Sequence, residues 1–350
     1  MWEKTHMRTR VIVVTIGALA ALWASGAAQA QRPMPPAWPY AQPQLPPGVV
    51  PDQVPAQATP PYRPPTPPDP NAPPPVLLQA TGSTLRFTQE QVSNSYGPAD
   101  WFPESHAPMP DIVAKGKPPG ARACGLCHLP DGRGRPENAP LQGLPRDYIV
   151  QQLHDFQQGL RHSADPRKAN TGEMENAAKA LTDAEIQEVA GYFSSIRVPK
   201  YIRVVETGMI PTMRIQGEIY FPVGDGQQEP IGTRIIETPE DVAQTRMRNP
   251  RSGFIAYAPI GSVKRGEALA TTGGGGRTTA CTVCHGHGLK GLGLVPNLAG
   301  RSPSYLARQM YDIKLGTRRG AMAALMGPVV ANLTDSEMVD IIAYVSSLEP

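Results

Sequence analysis

Cys124, Cys127 and His128 lie in one Cys-x-x-Cys-His pentapeptide, and Cys281, Cys284 and His285 lie in another. Thiols at this spacing sit one helical turn apart. They can add to the two vinyl groups of one porphyrin, and the adjoining imidazole can then ligate its iron. The chemistry expected at each motif is covalent attachment of a c-type haem. The two motifs use all four cysteines of the chain, so no thiol is left for another task. A four-thiolate zinc site shares the paired-cysteine skeleton, but zinc accounts for neither histidine, and its cysteine pairs usually stand much closer together. A thioredoxin-like reading of Cys124-Gly125-Leu126-Cys127 lacks the βαβ pattern that should surround it.

The motifs belong to an internal repeat. An offset of 157 carries Cys124 to Cys281, Tyr148 to Tyr305, Gln152 to Gln309, Gly159 to Gly316 and Arg161 to Arg318. The offset then drops to 152, carrying Met174 to Met326, Leu181 to Leu333, Asp183 to Asp335 and Tyr192 to Tyr344. One indel, a loop five residues longer in the first copy, reconciles both sets.

Each copy reads as helical. Thr182-Asp183-Ala184-Glu185 and Thr334-Asp335-Ser336-Glu337 are capping boxes, in which the threonine and glutamate each satisfy a free backbone donor. Behind them Ile186, Val189, Ala190 and Phe193, and then Met338, Ile341, Ile342 and Val345, fall at i, i+3, i+4, i+7, one apolar face of a helix. Further helices are expected from Tyr148 and from Tyr305, with Ile149, Leu153 and Phe156 matching Leu306, Met310 and Ile313, and over Val263 to Thr271, with a weaker counterpart near Asp111 to Lys115.

A haem iron held by one histidine needs a sixth ligand or stays open, and that choice separates a carrier from a catalyst. Met174 and Met326 occupy equivalent places, each seven residues before the leucine that precedes its capping box. A methionine is ordinarily a core residue, but equivalence across the repeat favours ligation. Met322 is the alternative in the second copy, and His154 and His162 are the alternatives in the first.

The 350 residues leave room for two such units of roughly 100 residues each plus further segments. Lys4, Arg8 and Arg10 followed by the apolar run Val11 to Trp23 and by Ala28-Gln29-Ala30 read as an export signal over 1–30, too short for a confident bilayer span. Residues 31–75 are dominated by proline, alanine and glutamine and read as a solvated, extended spacer without a core. A short extension follows over 76–107, where Leu85-Arg86-Phe87 has strand character and Trp101-Phe102 is expected to pack on the first domain. The insert 199–260 has three β-branched stretches and a Gly224-Asp225-Gly226 turn signal. Arg203-Val204-Val205-Glu206-Thr207 echoes Arg234-Ile235-Ile236-Glu237-Thr238, as if two similar strands shared a small sheet. Its expected role is a clasp between domains or a docking surface. With 33 Lys and Arg against 30 Asp and Glu, the charge points to no nucleic-acid partner.

The Cys124–His128 and Cys281–His285 motifs, the Pro296-Asn297-Leu298-Ala299-Gly300 loop, Tyr305 and the Met326–Tyr344 segment resemble class I cytochrome c domains, and their tandem resembles the dihaem cytochrome c4 type. The resemblance covers about half of the chain, roughly 108–198 and 261–350. It implies a mainly α protein with two covalently bound haem c groups, Cys124, Cys127, Cys281 and Cys284 as attachment points, and His128, Met174, His285 and Met326 as axial ligands. It also implies that a proline-loop carbonyl bonds the proximal histidine. The first copy reads Ala139-Pro140-Leu141-Gln142-Gly143, with its proline one place late, so Ala139 is expected to supply that accepting carbonyl. Arg161 and Arg318 are candidates for the haem propionates.

The function implied is that of a periplasmic electron carrier, not an enzyme. Its donor would be a dehydrogenase or quinol-oxidising complex, and its acceptor an oxidase or reductase. Membrane association would come through such a partner only. A dihaem peroxidase-like enzyme with one open iron, or a dedicated cytochrome subunit of a dehydrogenase, are the alternatives.

Overall fold

A computed structural model of the chain describes residues 1, 33–46, 49, 54, 73–197 and 199–350. The expected export signal and most of the Pro-rich stretch lie outside these residues. Among those described, no helix is long and apolar enough to cross a membrane.

Residues 76–107 build a small hydrophobic cluster beside the first repeat and the insert. Strand β1 (Leu77–Leu78) pairs antiparallel with β2 (Phe87–Thr88), and helix α1 (Gln89–Val92) follows behind a capping box at Thr88. Trp101 and Phe102 are buried with Ala80 and Val92, and the Trp101 indole donates to the Met247 carbonyl at 2.7 Å. These two aromatics were expected on the first domain. They instead cluster with Phe87 and with Met247 of the insert, because the indole N–H needs a carbonyl and finds one there.

The first repeat comprises α2 (Asp111–Ala114), α3 (Cys124–His128), α4 (Arg146–Gln157), α5 (Ala169–Ala180) and α6 (Asp183–Ser195). The expected apolar faces meet: Ile149, Leu153 and Phe156 of α4 and Ile186, Val189, Ala190 and Phe193 of α6 are buried in one cluster. Thr182 and Glu185 make both capping-box bonds. The second repeat comprises α8 (Ser262–Thr272), α9 (Thr282–His285), α10 (Pro303–Lys314), α11 (Ala321–Ala331) and α12 (Asp335–Ser347), again opened at α12 by a complete capping box. Helices α8 and α12 cross closely at Gly266. A Cβ there would overlap the Asp340 carbonyl, so the glycine sets the approach of the two helices.

Between the repeats, β3 (Ile202–Glu206), β9 (Phe254–Ala258) and β8 (Ile236–Pro239) form a three-stranded sheet in that order, β3 parallel and β8 antiparallel to β9. The two echoing segments therefore share one sheet as expected, separated by a third strand that lacked an obvious signal. Strands β4 (Met209–Pro211) and β7 (Gln228–Pro230), and β5 (Met213–Gln216) and β6 (Ile219–Pro222), pair antiparallel beside it. The short helix α7 (Val242–Arg246), capped by Asp241, links β8 to β9. Ile202, Ile235, Ile236, Phe254 and Ala256 are buried in the same cluster as Ile341, Ile342 and Val345 of α12, so the insert completes the core of the second repeat.

The expectation of a solvated spacer fails for its described beginning. Trp38–Tyr40 form a 3-10 turn, and Trp38 and Tyr40 are buried in the core of the second repeat. Arg308 donates to the Pro39 carbonyl at 3.0 Å, and Arg167 of the first repeat donates to that of Pro43 at 2.8 Å. Two aromatics between prolines outweigh the composition of the stretch, because each ring buries a large apolar surface and the Tyr40 hydroxyl finds a partner inside.

Candidate functional sites

In the first repeat one cavity gathers all four expected residues, Cys124, Cys127, His128 and Met174, with the apolar side chains Leu153, Phe156 and Phe193. The motif itself forms α3, which places the two thiols on one turn and the imidazole behind them. His128 is buried, and its Nδ1 lies 2.8 Å from the Ala139 carbonyl. A carbonyl can only accept, so Nδ1 carries the proton and Nε2 is left with a free lone pair. Burial holds the imidazole below its ordinary pKa despite the Ala139 bond, which keeps that lone pair available.

His285 repeats the arrangement. It is buried, its Nδ1 lies 2.8 Å from the Pro296 carbonyl, and burial again lowers its pKa. The proline one place late in the first copy therefore costs nothing, since Ala139 and Pro296 present the same backbone group. Cys281 and Met326 both pack against the core of the second repeat, and the Thr278 hydroxyl ties the segment before α9 to the Val329 carbonyl of α11 at 2.8 Å.

The alternative histidines bond other partners. His162 Nδ1 lies 2.7 Å from Glu175 and its Nε2 lies 2.8 Å from the Gly159 carbonyl, which occupies both ring nitrogens. His154 Nδ1 bonds Gln157 at 2.9 Å. Met322 is exposed near the start of α11.

These residues fit a covalently held haem. The donor set is a thiol pair plus an imidazole whose Nδ1 is fixed by a carbonyl, the usual second partner of an iron-ligating histidine. Burial pushes the Cys124 thiol up to about 12, so the free side chain stays protonated in its apolar surroundings. Among the described residues no three His, Cys, Asp or Glu side chains come together as a metal site.

The polar end of the first cavity comes partly from the other repeat. Arg161 and His162 of the first copy line it with Tyr305, Arg308, Gln309 and Asp312 of α10. Arg161 and Arg318 sit at the seam between the repeats, and their backbones form an antiparallel bridge. Arg161 donates to Gln152 at 3.0 Å and to Gln309 at 3.0 Å; Arg318 donates to Gln309 at 2.9 Å and to Gln152 at 2.8 Å. Both guanidiniums are buried against neutral partners, and Arg318 Nε has no hydrogen-bond partner. Buried cations held by neutral groups suit a nearby anion such as a propionate.

Lys168 also lines this cavity, buried and paired with Glu218, which stands at the turn between β5 and β6. Burial lowers the ammonium to about 8 against the pull of Glu218. Lys168 lies in the loop that is five residues longer in the first copy. Its neighbour Arg167 grips Asp165 at 2.6 Å as well as Pro43, so the extra length is the grip on the insert and the N-terminal segment. The indel was visible in the sequence; its partners, far away in the chain, were not.

The two motifs differ in cover. Leu126 is 4% exposed, whereas its equivalent Val283 is 67% exposed. Arg248 of the insert donates to the Leu126 carbonyl at 2.7 Å, Ala123 N–H donates to Ser95, and Gly125 lies against Val113 and Met109.

The sequence profile of the cytochrome c family matches residues 113–197 and 263–349. A cytochrome c4 of Azotobacter vinelandii is 36% identical over 253 residues, 70% of this chain and 91% of the relative. A cytochrome c-552 of Acidithiobacillus ferridurans is 36% identical over 271 residues, 76% of this chain and 85% of the relative. A thiosulfate dehydrogenase electron acceptor of Thiomonas intermedia is 27% identical over 224 residues, 63% of this chain and 76% of the relative. Two family matches on the two helical repeats, each around a Cys-x-x-Cys-His helix with its histidine fixed by a carbonyl, place the chain in the cytochrome c family as a cytochrome c4-like tandem with two covalently bound haem c groups.

Proposed function

We propose that the chain is a periplasmic carrier of single electrons between a dehydrogenase and a terminal acceptor, with His128 and Met174 as axial ligands in the first domain and His285 and Met326 in the second. The observation that carries this reading is the single cavity lined by Cys124, Cys127, His128 and Met174. Each bound haem supplies a reversible one-electron couple at iron. The chain holds it by two cysteines, fixes the proximal imidazole through Ala139 or Pro296, and surrounds it with apolar side chains that exclude water. Thioether ligation favours the ferrous state and raises the potential. The leader over 1–30 supports export, where haem attachment takes place.

The donor reading rests on two relatives named as electron acceptors of thiosulfate dehydrogenase, the second from Stutzerimonas stutzeri. A dehydrogenase oxidising a reduced-sulfur anion is the donor proposed here. Mixing the oxidised holoprotein with thiosulfate dehydrogenase and thiosulfate tests it: both haems should reduce within the turnover time of the enzyme. No reduction above a cytochrome-free control contradicts that donor. Co-purification from the native source distinguishes a dedicated subunit from a free carrier.

A further inference from the structure

We propose that Asp312, a carboxyl contributed by the second repeat, is the proton-linked group that tunes the reduction potential of the haem in the first. It lines the same cavity as His128 and Met174 although it belongs to α10 of the other domain. Only 6% of it is exposed. Its Oδ1 accepts from the Tyr40 hydroxyl at 2.9 Å and from the Ala164 N–H at 2.8 Å, and its Oδ2 accepts from Gln309 at 3.3 Å. Ala164 belongs to the first repeat and Tyr40 to the N-terminal segment, so three separated stretches of chain converge on this one carboxyl.

The charged and titratable groups facing it are Tyr40, Arg308 on its own helix, Arg161 of the first repeat and Arg318 at the seam, with Asp165 near Tyr40. Burial pushes the carboxyl up to about 6, while the Ala164 and Tyr40 donors and the two nearest guanidiniums restrain the rise. A proton lost at this position leaves a negative charge beside the haem cavity in a medium of low dielectric, where charges interact strongly. That charge favours the oxidised state of the haem, and by linkage oxidation favours loss of the proton. The potential of the first haem therefore falls as pH rises through about 6 and levels off above it.

The equivalent carboxyl, Asp155, accepts from the side chains of Gln151 and Gln152 and lies against Gly320. The tyrosine that reaches Asp312 comes from the N-terminal segment, which is not part of the repeat. The device is therefore built on one side of the tandem.

This inference rests on haem occupying the first cavity, so a pyridine haemochrome count of two per chain precedes the test and separates failed loading from a failed proposal. Midpoint potentials of both haems in the holoprotein are then measured by spectroelectrochemistry from about pH 5 to 8, a window that brackets the Asp312 transition. A parallel Met174→Leu variant marks the first haem. In the wild type the first haem shows the fall through about pH 6. In Asp312→Asn the fall disappears from that haem and the other is unchanged. Tyr40→Phe keeps the ring and removes one donor to the carboxylate, which moves the fall to higher pH. An undiminished fall in Asp312→Asn overturns the proposal, as does a wild-type first haem with no pH dependence or a Tyr40→Phe profile that coincides with wild type.

Discussion

Arg318 of the second repeat donates to the Tyr148 hydroxyl of the first at 2.8 Å, and its counterpart Arg161 reaches Tyr305 in the opposite direction at 3.3 Å. The pseudo-twofold relation of the sequence is thus closed by a hydrogen-bonded ring at the seam. Replacing Arg318 by Met leaves the Tyr148 hydroxyl and one side of Gln152 unpaired in a buried site. A buried polar group without a partner costs about 1–3 kcal/mol, and the loss should appear in urea unfolding of the holoprotein. A double-mutant cycle with Tyr148→Phe should give a coupling of about 1 kcal/mol or more, as for groups in one network. Strict additivity would show that the seam is not one unit.

The ion pair between Lys168 and Glu218 joins the long loop of the first domain to the β5–β6 turn. Both side chains are nearly buried. Glu218→Gln leaves an uncompensated ammonium and should cost about 3 kcal/mol. The sign with pH is also fixed. The folded Lys168 titrates at about 8, below the ordinary 10.5, so between these values the unfolded chain binds a proton that the folded chain does not. This group therefore makes stability rise with pH over that window. In Glu218→Gln the ammonium loses its partner, its pKa falls further, and the rise should begin at lower pH. A stability difference between the two proteins that is small and independent of pH would contradict the pairing.

Unequal cover of the two motifs bears on how each haem is reached. Leu126 is buried, its carbonyl held by Arg248 and the nearby Ala123 bonded to Ser95 of the N-terminal extension, while Val283 faces solvent. A small reductant such as ascorbate should therefore reduce the second haem faster in stopped-flow traces. Arg248→Ala should quicken the first haem and leave the second as it was. Equal rates at the two haems in the wild type would refute this account of access.

Much of this architecture was legible because the repeat supplied its own control. The offset of 157 located paired helices, and the structure buries Ile149, Leu153 and Phe156 of one copy and Leu306 of the other, with Met310 and Ile313 half-buried against the same core. The carbonyl partner of His128 was legible too, since a backbone group survives a displaced proline. Arg161 and Arg318 were visible as a pair, but their cross-domain partners were not, because a seam between repeats leaves no local periodicity. Tyr40 was hidden for a different reason: proline-rich composition argues for a solvated spacer, and a single buried hydroxyl partner 272 residues away overrides it. Strand β9 carried too few β-branched residues to announce itself, and it exists because β3 and β8 both pair with it.

The visible spectrum of the oxidised holoprotein, taken with a pyridine haemochrome count on the same sample, tests the central claim most directly. The account predicts two c-type haems per chain, both low-spin, with a far-red sulfur-to-iron band worth two haems. Met174→Leu and Met326→Leu should each remove half of that band and lower one potential, since thioether ligation is what raises it. A high-spin component in the wild type, or a far-red band worth one haem, would contradict the paired His/Met ligation and turn attention to an open iron.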